Sequence, residues 1–483
     1  MSLQRSIVKN TGFLIVSRII SQIFAFFTVI LIARQLGEVG LGLYSFAFAF
    51  TEILGLMSDV GIYTLVIRDV SRKKEDAEKY MNHYLSLKIL LSALFLIIGG
   101  IVLLFLPFPI EKKWIIFLAI IAYSFYKLSN PFFTILRAYE KMGFESLSEI
   151  LDKALTLAVV VLALFFHYGL LMILIGMILV RILLFFVSYF FTHRTIAKPR
   201  FVIDYKFWFY LMNESKYFWF INILGIVYFQ VDTLMIGFIH GDAAVGIYNA
   251  SYRLVAALAF IPVSLMAALF PITSRLFKED KDLLRQIFLK TIRYLVLLAV
   301  PILLLTVILA PEIIQFLYNG QFHQSILVLQ ILIFAQMFVF FNHIASITLN
   351  SIDLQKRVTV ITALTLLLNV CLNAFLIPYY SYNGAAIATV ASELVNLGCL
   401  IYSIHLLIIQ RFSFEIPLFK SIFKISVAGI FAGVSVYFFK QYYSFHLFFL
   451  LFFGLLIYVI LLFLIQEMSV AEIKETFLQM KKE

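Results

Sequence analysis

Charge is scarce in this chain. Of its 483 residues only 13% are Asp, Glu, Lys or Arg, while 63% are hydrophobic. A soluble domain carries about a quarter charged residues, so a soluble fold and a disordered chain are both excluded. Cysteine is nearly absent. Cys371 and Cys399 both sit inside apolar runs, which excludes a disulfide scaffold and reads them as small core residues, not a redox pair or metal site. Catalytic signatures are missing too. No G-x-x-x-x-G-K-[ST] loop occurs, so the chain does not hydrolyse ATP by itself, and no H-E-x-x-H occurs among the eight scattered His. Asp280-Lys281-Asp282 spells D-x-D, but it lies in a short basic loop and reads as a solvated turn. Asn213-Glu214-Ser215 matches a glycosylation acceptor, on the side that the charge pattern below makes cytoplasmic.

What fills the chain instead is apolar sequence. A helix needs roughly 20 mostly apolar residues to cross a bilayer. Fourteen such stretches can be read, at about 11–33, 41–66, 84–106, 114–137, 147–166, 169–192, 217–239, 246–274, 293–310, 324–349, 358–377, 384–408, 419–438 and 445–465. The first carries Arg18 and no small-residue cleavage site, so it reads as a retained span. With the N-terminus inside, the inner segments hold 28 Lys and Arg and the outer loops four: Arg34, Lys112, Lys113 and Lys440. That bias places both termini in the cytoplasm. The outer loops are short, which leaves no room for a catalytic domain and makes an enzyme the weaker class. The net charge of +11 then points to cytoplasmic loops and an anionic partner at the membrane, not to nucleic acid.

The sequence also repeats itself. Gly37-Glu38 is followed by Gly42-Leu43-Tyr44, and Gly241-Asp242 by Gly246-Ile247-Tyr248. Each copy falls where the first span of a half turns into the second. Six spans separate the copies, so the halves share orientation, as in a parallel repeat about an axis along the membrane normal. The expected fold is therefore an all-α integral membrane protein of about fourteen helices. Residues 1–192 form an N-lobe and 193–216 a cytoplasmic linker with an interfacial helix near Asp204–Ser215. Residues 217–408 form a C-lobe, and 409–483 add helices 13 and 14 and a tail. Leu3–Asn10 and Ser274–Tyr294 are further basic amphipathic pieces.

Two-lobe transporters hold substrate between the lobes, so polar residues should form stripes at helical spacing. Ser45, Glu52 and Asp59 are seven apart. Tyr123, Lys127, Asn130, Thr134 and Arg137 advance by four and three, with Pro131 expected to kink the helix. Arg18 and Gln22 lie one turn apart, as do Asn249 and Arg253. The repeat maps Arg18 onto Asn222 and Ser45 onto Asn249. The candidate substrate-cavity residues are thus Arg18, Gln22, Lys127, Asn130, Asn222, Asn249 and Arg253. Candidates for gating or ion coupling are Glu52, Asp59, Arg68, Gln230 and Asp232. Glu149 and Lys153 read as a structural i,i+4 pair, Lys88 and Arg181 as snorkelling or locally paired, and Asn369 and Asn373 as helix–helix glue. No metal ligands are apparent.

These stretches resemble a known family. Ile32–Ala47 reads I-A-R-Q-L-G-E-V-G-L-G-L-Y-S-F-A and Ser58–Asp69 reads S-D-V-G-I-Y-T-L-V-I-R-D. Val231–Gly237, Gly246–Leu254 and Ile261–Pro271 read V-D-T-L-M-I-G, G-I-Y-N-A-S-Y-R-L and I-P-V-S-L-M-A-A-L-F-P. The whole chain looks like the polysaccharide transporter family, the Wzx-type flippases of the MOP exporter superfamily. The resemblance implies a V-shaped, MATE-like pair of lobes that alternate between inward- and outward-facing states. It implies movement of an oligosaccharide on a polyprenyl (di)phosphate from the inner to the outer leaflet of the cell membrane. It also implies no resident cofactor, Na⁺ or H⁺ as a coupling ion, membrane lipids and glycan polymerase or glycosyltransferases as partners, and a monomer. Alternatives are a MATE-like exporter of small molecules and a lipid II flippase. Leu41–Leu54 departs from the A-T-D-A-F-x-V-A-F-K-L-P-N-L-like stretch of lipid II flippases. The two extra spans and the intramembrane Arg and Lys depart from the drug antiporters.

Overall fold

The computed structural model describes residues 2–196, 198–408, 416–442 and 446–467. Among the described residues there is no strand. The helices run α1 Ser2–Leu54, α2 Ile62–Arg72, α3 Ala77–Phe105, α4 Ile110–Leu128, α5 Asn130–Ala138, α6 Met142–Phe165, α7 Leu170–Thr195 and α8 Tyr205–Ile239. They continue with α9 Asp242–Ala257, α10 Phe260–Glu279, α11 Lys281–Tyr318, α12 Ser325–Ser351, α13 Gln355–Ile408, α14 Ile416–Tyr442 and α15 Leu447–Leu464. Eleven of the described helical stretches are long and apolar enough to cross a membrane, which makes this a multi-pass membrane protein. Two are far longer than one crossing requires: Val16–Met57 has 42 residues and Gln355–His405 has 51. Each turns inside, at Gly37 (φ 67°) and at Ser381 (φ 51°). Helix α6 is 24 residues long but carries Glu145, Glu149, Asp152 and Lys153, which lowers its hydropathy.

The chain divides into two compact units, Met1–Asn249 and Ala250–Glu483. In the first, the stretch expected to run unbroken from 41 to 66 does not. Helix α1 ends at Leu54, a 3₁₀ turn covers Gly55–Met57, and Gly61 adopts φ 72° before α2 starts. Asp59 therefore lies off the helix that bears Ser45 and Glu52, and the expected seven-residue stripe is broken. Helix α2 is amphipathic: Ile62, Leu65, Val66 and Val70 are buried against α3, α5 and α8, while Arg68 and Arg72 face outward. The break expected at Pro131 falls two residues earlier, at Ser129, between α4 and α5. Proline sits well in a first helical turn and badly inside a helix. The interfacial helix expected near Asp204 is continuous with the following span as α8. Asp204 caps it, accepting from the backbone N–H groups of Lys206 and Phe207.

In the second unit Asp280 does the same for α11, accepting from the N–H groups of Asp282 and Leu283. The D-x-D tripeptide is thus a helix cap and not a free turn. Asn373 donates to Asn369 at 3.0 Å and Asn369 to Ser392 at 3.2 Å, so these asparagines join the two halves of α13, as expected. Helices α14 and α15 are fastened to α11. Lys440 meets Glu312 at 2.9 Å, the Tyr458 hydroxyl donates to the Leu297 carbonyl at 3.0 Å, and Glu467, just past α15, meets Arg293 of α11 at 3.4 Å while accepting from Ser421 of α14 at 2.5 Å. Cys371 and Cys399, expected in the core, are exposed free thiols on α13, where apolar sequence faces lipid and not protein.

Candidate functional site

Helices of the first unit line an open polar cavity of about 210 Å³. Six helices build it. Arg18 comes from α1, Tyr63 from α2, Asn130 and Arg137 from α5, and Arg181 from α7; Tyr126 of α4 forms part of the wall. Helix α6 supplies Glu145, Glu149 and Asp152, whose spacings of four and three put all three on one face. The break at Ser129 exposes Asn130 to the cavity instead of closing it behind a continuous helix.

The charges are partly spent on one another. Arg137 grips Glu145 with two hydrogen bonds, of 2.6 and 3.0 Å. Lys153 turns to Asp152 at 3.1 Å, so the Glu149–Lys153 pair expected from the i,i+4 spacing does not form. Glu149 and Arg18 have no oppositely charged group within 4 Å among the described residues. Arg181 is 7% exposed. Its Nε lies 3.7 Å from Asp152, and its guanidinium carbon sits 5.3 Å from the Tyr126 ring centre and 5.8 Å from that of Phe48.

The other expected residues are distributed as follows. Lys127, placed in the cavity by its stripe, points away to Asp59 at 2.8 Å, because the α4 break rotates it off the face of Asn130. Lys88 does not snorkel. It is 1% exposed, donates to the Ser58 carbonyl at 2.6 Å and lies 4.0 Å from Asp59. Gln22 and Asn222 are exposed on α1 and α8. Asn249 is buried and donates to Thr233 and to the Val245 carbonyl. Arg253 is half-buried in the second unit, with its Nε unbonded. Glu52 accepts from Gln230 at 2.5 Å, Asp232 from the Tyr248 hydroxyl at 2.7 Å, and Arg68 is exposed against Asp69. Of the candidates, then, Arg18 and Asn130 share the cavity, and Glu52 with Gln230 and Asp59 with Lys127 form pairs. Sequence reasoning missed Glu145, Asp152 and Tyr126. The signal for the acids was present: E-x-x-x-E-x-x-D on one face of a span is too costly for lipid.

The sequence profile of the polysaccharide biosynthesis protein family matches residues 7–277, and that of the MatE family residues 219–375. A probable flippase AglR of Haloferax volcanii is 29% identical over 195 residues, 40% of each chain. A putative O-antigen transporter of Shigella flexneri is 23% identical over 404 residues, 79% of this chain and 94% of that one. The chain thus spans less than half of AglR and nearly all of the Shigella protein. Among solved structures, the lipid II flippase MurJ in an inward closed conformation aligns with a TM-score of 0.75 at 16% identity, covering 92% of this chain and 97% of that one. An inward-facing multidrug resistance MATE family transporter of the MOP superfamily aligns with a TM-score of 0.66 at 13% identity, covering 81% and 96%. These likenesses establish the shared fold. With a family profile spanning 7–277, more than half of its length, the chain belongs to the polysaccharide biosynthesis protein family.

Proposed function

We propose that this protein is a flippase that carries a polyprenyl-(di)phosphate-linked oligosaccharide from the inner to the outer leaflet of the cell membrane by alternating access. The observation that carries the reading is a cavity in the membrane-embedded first unit lined by charged side chains, where Arg18 has no carboxylate within 4 Å among the described residues. A sugar–phosphate headgroup cannot cross hydrocarbon unaided. A polar cavity replaces its water, and the arginine fork suits phosphate oxygens. The relatives described as a flippase and an O-antigen transporter support the same substrate class.

In this reading the turns at Gly37 and Ser381 each divide a long stretch into two crossings. With α6 as a further crossing, the total is fourteen, both termini are cytoplasmic, and the protein transports without chemical conversion. Residues 1–192 and 217–408 act as the two lobes, joined by 193–216, and 409–483 stands outside the pathway. The protein works as a monomer beside glycan polymerase or glycosyltransferases. It needs no resident cofactor. Outward movement of an anionic headgroup gains about 2.3 kcal/mol per charge per 100 mV when the inside is negative, and entry of Na⁺ or H⁺ would add to that drive. The test is leaflet translocation of a fluorescent polyprenyl-diphosphate oligosaccharide in proteoliposomes, comparing the parent with Arg18→Ala plus Arg253→Ala. Flipping by the parent that the double variant loses supports the reading. A well-folded parent that flips no such lipid under a membrane potential or an ion gradient sinks it. The second reading, export of a cationic small molecule, is favoured by the unpaired Glu149 and predicts cation efflux abolished by Glu149→Gln.

A further inference from the structure

Residues 198–204, between α7 and α8, form a strap laid along α3. The backbone N–H of Arg200 donates to Asn82 Oδ1 and that of Val202 to the Ser86 hydroxyl, each at 2.8 Å, and Asp204 lies 3.6 Å from His83. Asn82 and Ser86 stand five and nine residues past the start of α3 at Ala77, roughly 8 and 14 Å along its axis. On that helix the charged Glu78 and Lys79 are exposed before the strap, and the apolar Ile89 and Leu90 are exposed beyond it. The strap therefore runs where the surface of α3 changes from charged to lipid-facing, which is the level of the lipid headgroups.

Its outward side chains are of two kinds. Phe201, Ile203 and Tyr205, with Phe209 one turn into α8, are 57–74% exposed. Apolar and aromatic surface of this extent is costly in water and favourable among headgroups and the first acyl carbons. Interleaved with them, Lys198, Arg200 and Lys206 are exposed and have no carboxylate within 4 Å among the described residues. Asp204, the acid among them, is spent on capping α8 and on facing His83. The pose is fixed from behind: Trp208 and Leu211 of α8 are buried in one core with Met81, Tyr84 and Leu85 of α3. Backbone hydrogen bonds and core packing thus hold the basic and apolar side chains outward together.

We propose that residues 198–209 form a docking surface for the headgroups of anionic phospholipids in the leaflet that meets the start of α3. The apolar and aromatic side chains enter the headgroup layer, and the three cations meet the lipid phosphates, as basic interfacial segments do on anionic membranes. A soluble anion would use the charges alone. The apolar side chains set between those charges commit the surface to a lipid. The inference does not depend on what the chain transports.

The test is native mass spectrometry of the full chain in detergent micelles, titrated with phosphatidylglycerol, phosphatidylcholine or geranylgeranyl phosphate. The parent should bind phosphatidylglycerol more tightly than phosphatidylcholine, and the preference should shrink as salt is added. The triple variant Lys198→Gln, Arg200→Gln and Lys206→Gln alters only exposed side chains, so its thermal midpoint should match that of the parent. It should lose phosphatidylglycerol affinity by up to about fivefold for each charge removed, with phosphatidylcholine binding unchanged. Lys356→Gln with Arg357→Gln removes two exposed charges from the start of α13 and should keep the parent's preference. A triple variant with parent-like preference overturns the surface. Equal loss in the α13 variant overturns it as well, since overall charge would then be the cause. Geranylgeranyl phosphate that depends on the three residues more strongly than phosphatidylglycerol does overturns the phospholipid assignment and makes the strap a landing place for an isoprenoid phosphate.

Discussion

Gly42 on α1 and Asp242 at the start of α9 meet backbone to backbone. A Cβ on Gly42 would overlap the Asp242 carbonyl oxygen, and a Cβ on Gly246 would overlap the carbonyl oxygen of Glu38. The contact is reciprocal: the acidic position of each motif copy faces the second glycine of the other. Gly37 and Gly241, the first glycines, share a positive φ of 67° and 82°. The repeat read in the sequence is therefore a repeat of conformation and of mutual packing. Beside it Lys112 meets Asp242 at 2.5 Å and lies 4.1 Å from the centre of the Phe46 ring, so an ion pair and a cation–π contact cover the same junction.

Gly42→Ala and Gly246→Ala should each destabilise the protein. The overlapping atoms are main chain, which cannot rotate away, and overpacking of this kind costs about 1–3 kcal/mol. Gly225 supplies the control, because nothing lies within 4 Å of its Cβ position and alanine favours a helix by about 1 kcal/mol. Thermal unfolding of the three variants should rank Gly225→Ala at or above the parent and the other two below it. Equal midpoints for all three would contradict the packing.

Asp59 faces two buried ammonium groups, Lys88 and Lys127. Asp59→Asn strips both of their only carboxylate among the described residues, and an uncompensated buried charge costs about 3–5 kcal/mol. Lys88→Met leaves the Asp59–Lys127 pair neutral and gives up one bond to the Ser58 carbonyl. The expected order of thermal stability is parent, then Lys88→Met, then Asp59→Asn. A reversal of the two variants would show that the bond to Ser58, and not charge balance, holds this corner.

Asp280→Ala should cost about 1 kcal/mol, the usual loss of an N-cap acceptor, because two backbone N–H groups of α11 lose their partner. Translocation should be unaffected, as the D-x-D tripeptide serves the helix end and no chemistry. A variant of parent stability that fails to transport would reopen a functional role.

The sequence showed what periodicity and repetition can show. Apolar stretches located the helices, the G-[E/D]-x-x-x-G pattern located the Gly42–Gly246 contact, and mid-span polarity singled out Arg18 and Asn130. It hid what depends on where helices stop. The Ser45–Glu52–Asp59 and Tyr123–Arg137 stripes assumed continuous helices, and breaks at Leu54 and Ser129 rotate Asp59 and Lys127 toward each other. Partner choice was hidden as well. Spacing on α6 favours Glu149 for Lys153, yet Lys153 takes Asp152, which faces Arg181 across from α7. Such choices are settled by tertiary neighbours, which no single-helix rule contains.

Among the acids proposed for ion coupling, Glu52 is hydrogen-bonded to a neutral amide and not to a lysine. The neutral amide of Gln230 donates to it at 2.5 Å. Asp59 sits between two lysines that hold it ionised. Glu52→Gln keeps an acceptor for Gln230 and nearly the same shape, so the fold should survive with a midpoint close to that of the parent. If a proton gradient drives transport through this residue, the variant should flip lipid at a rate that no longer changes when the pH gradient is reversed, while the parent accelerates with acid outside. A variant that keeps the full pH-gradient dependence excludes Glu52 as the coupling acid. A parent indifferent to the gradient leaves the membrane potential to drive the anionic headgroup outward.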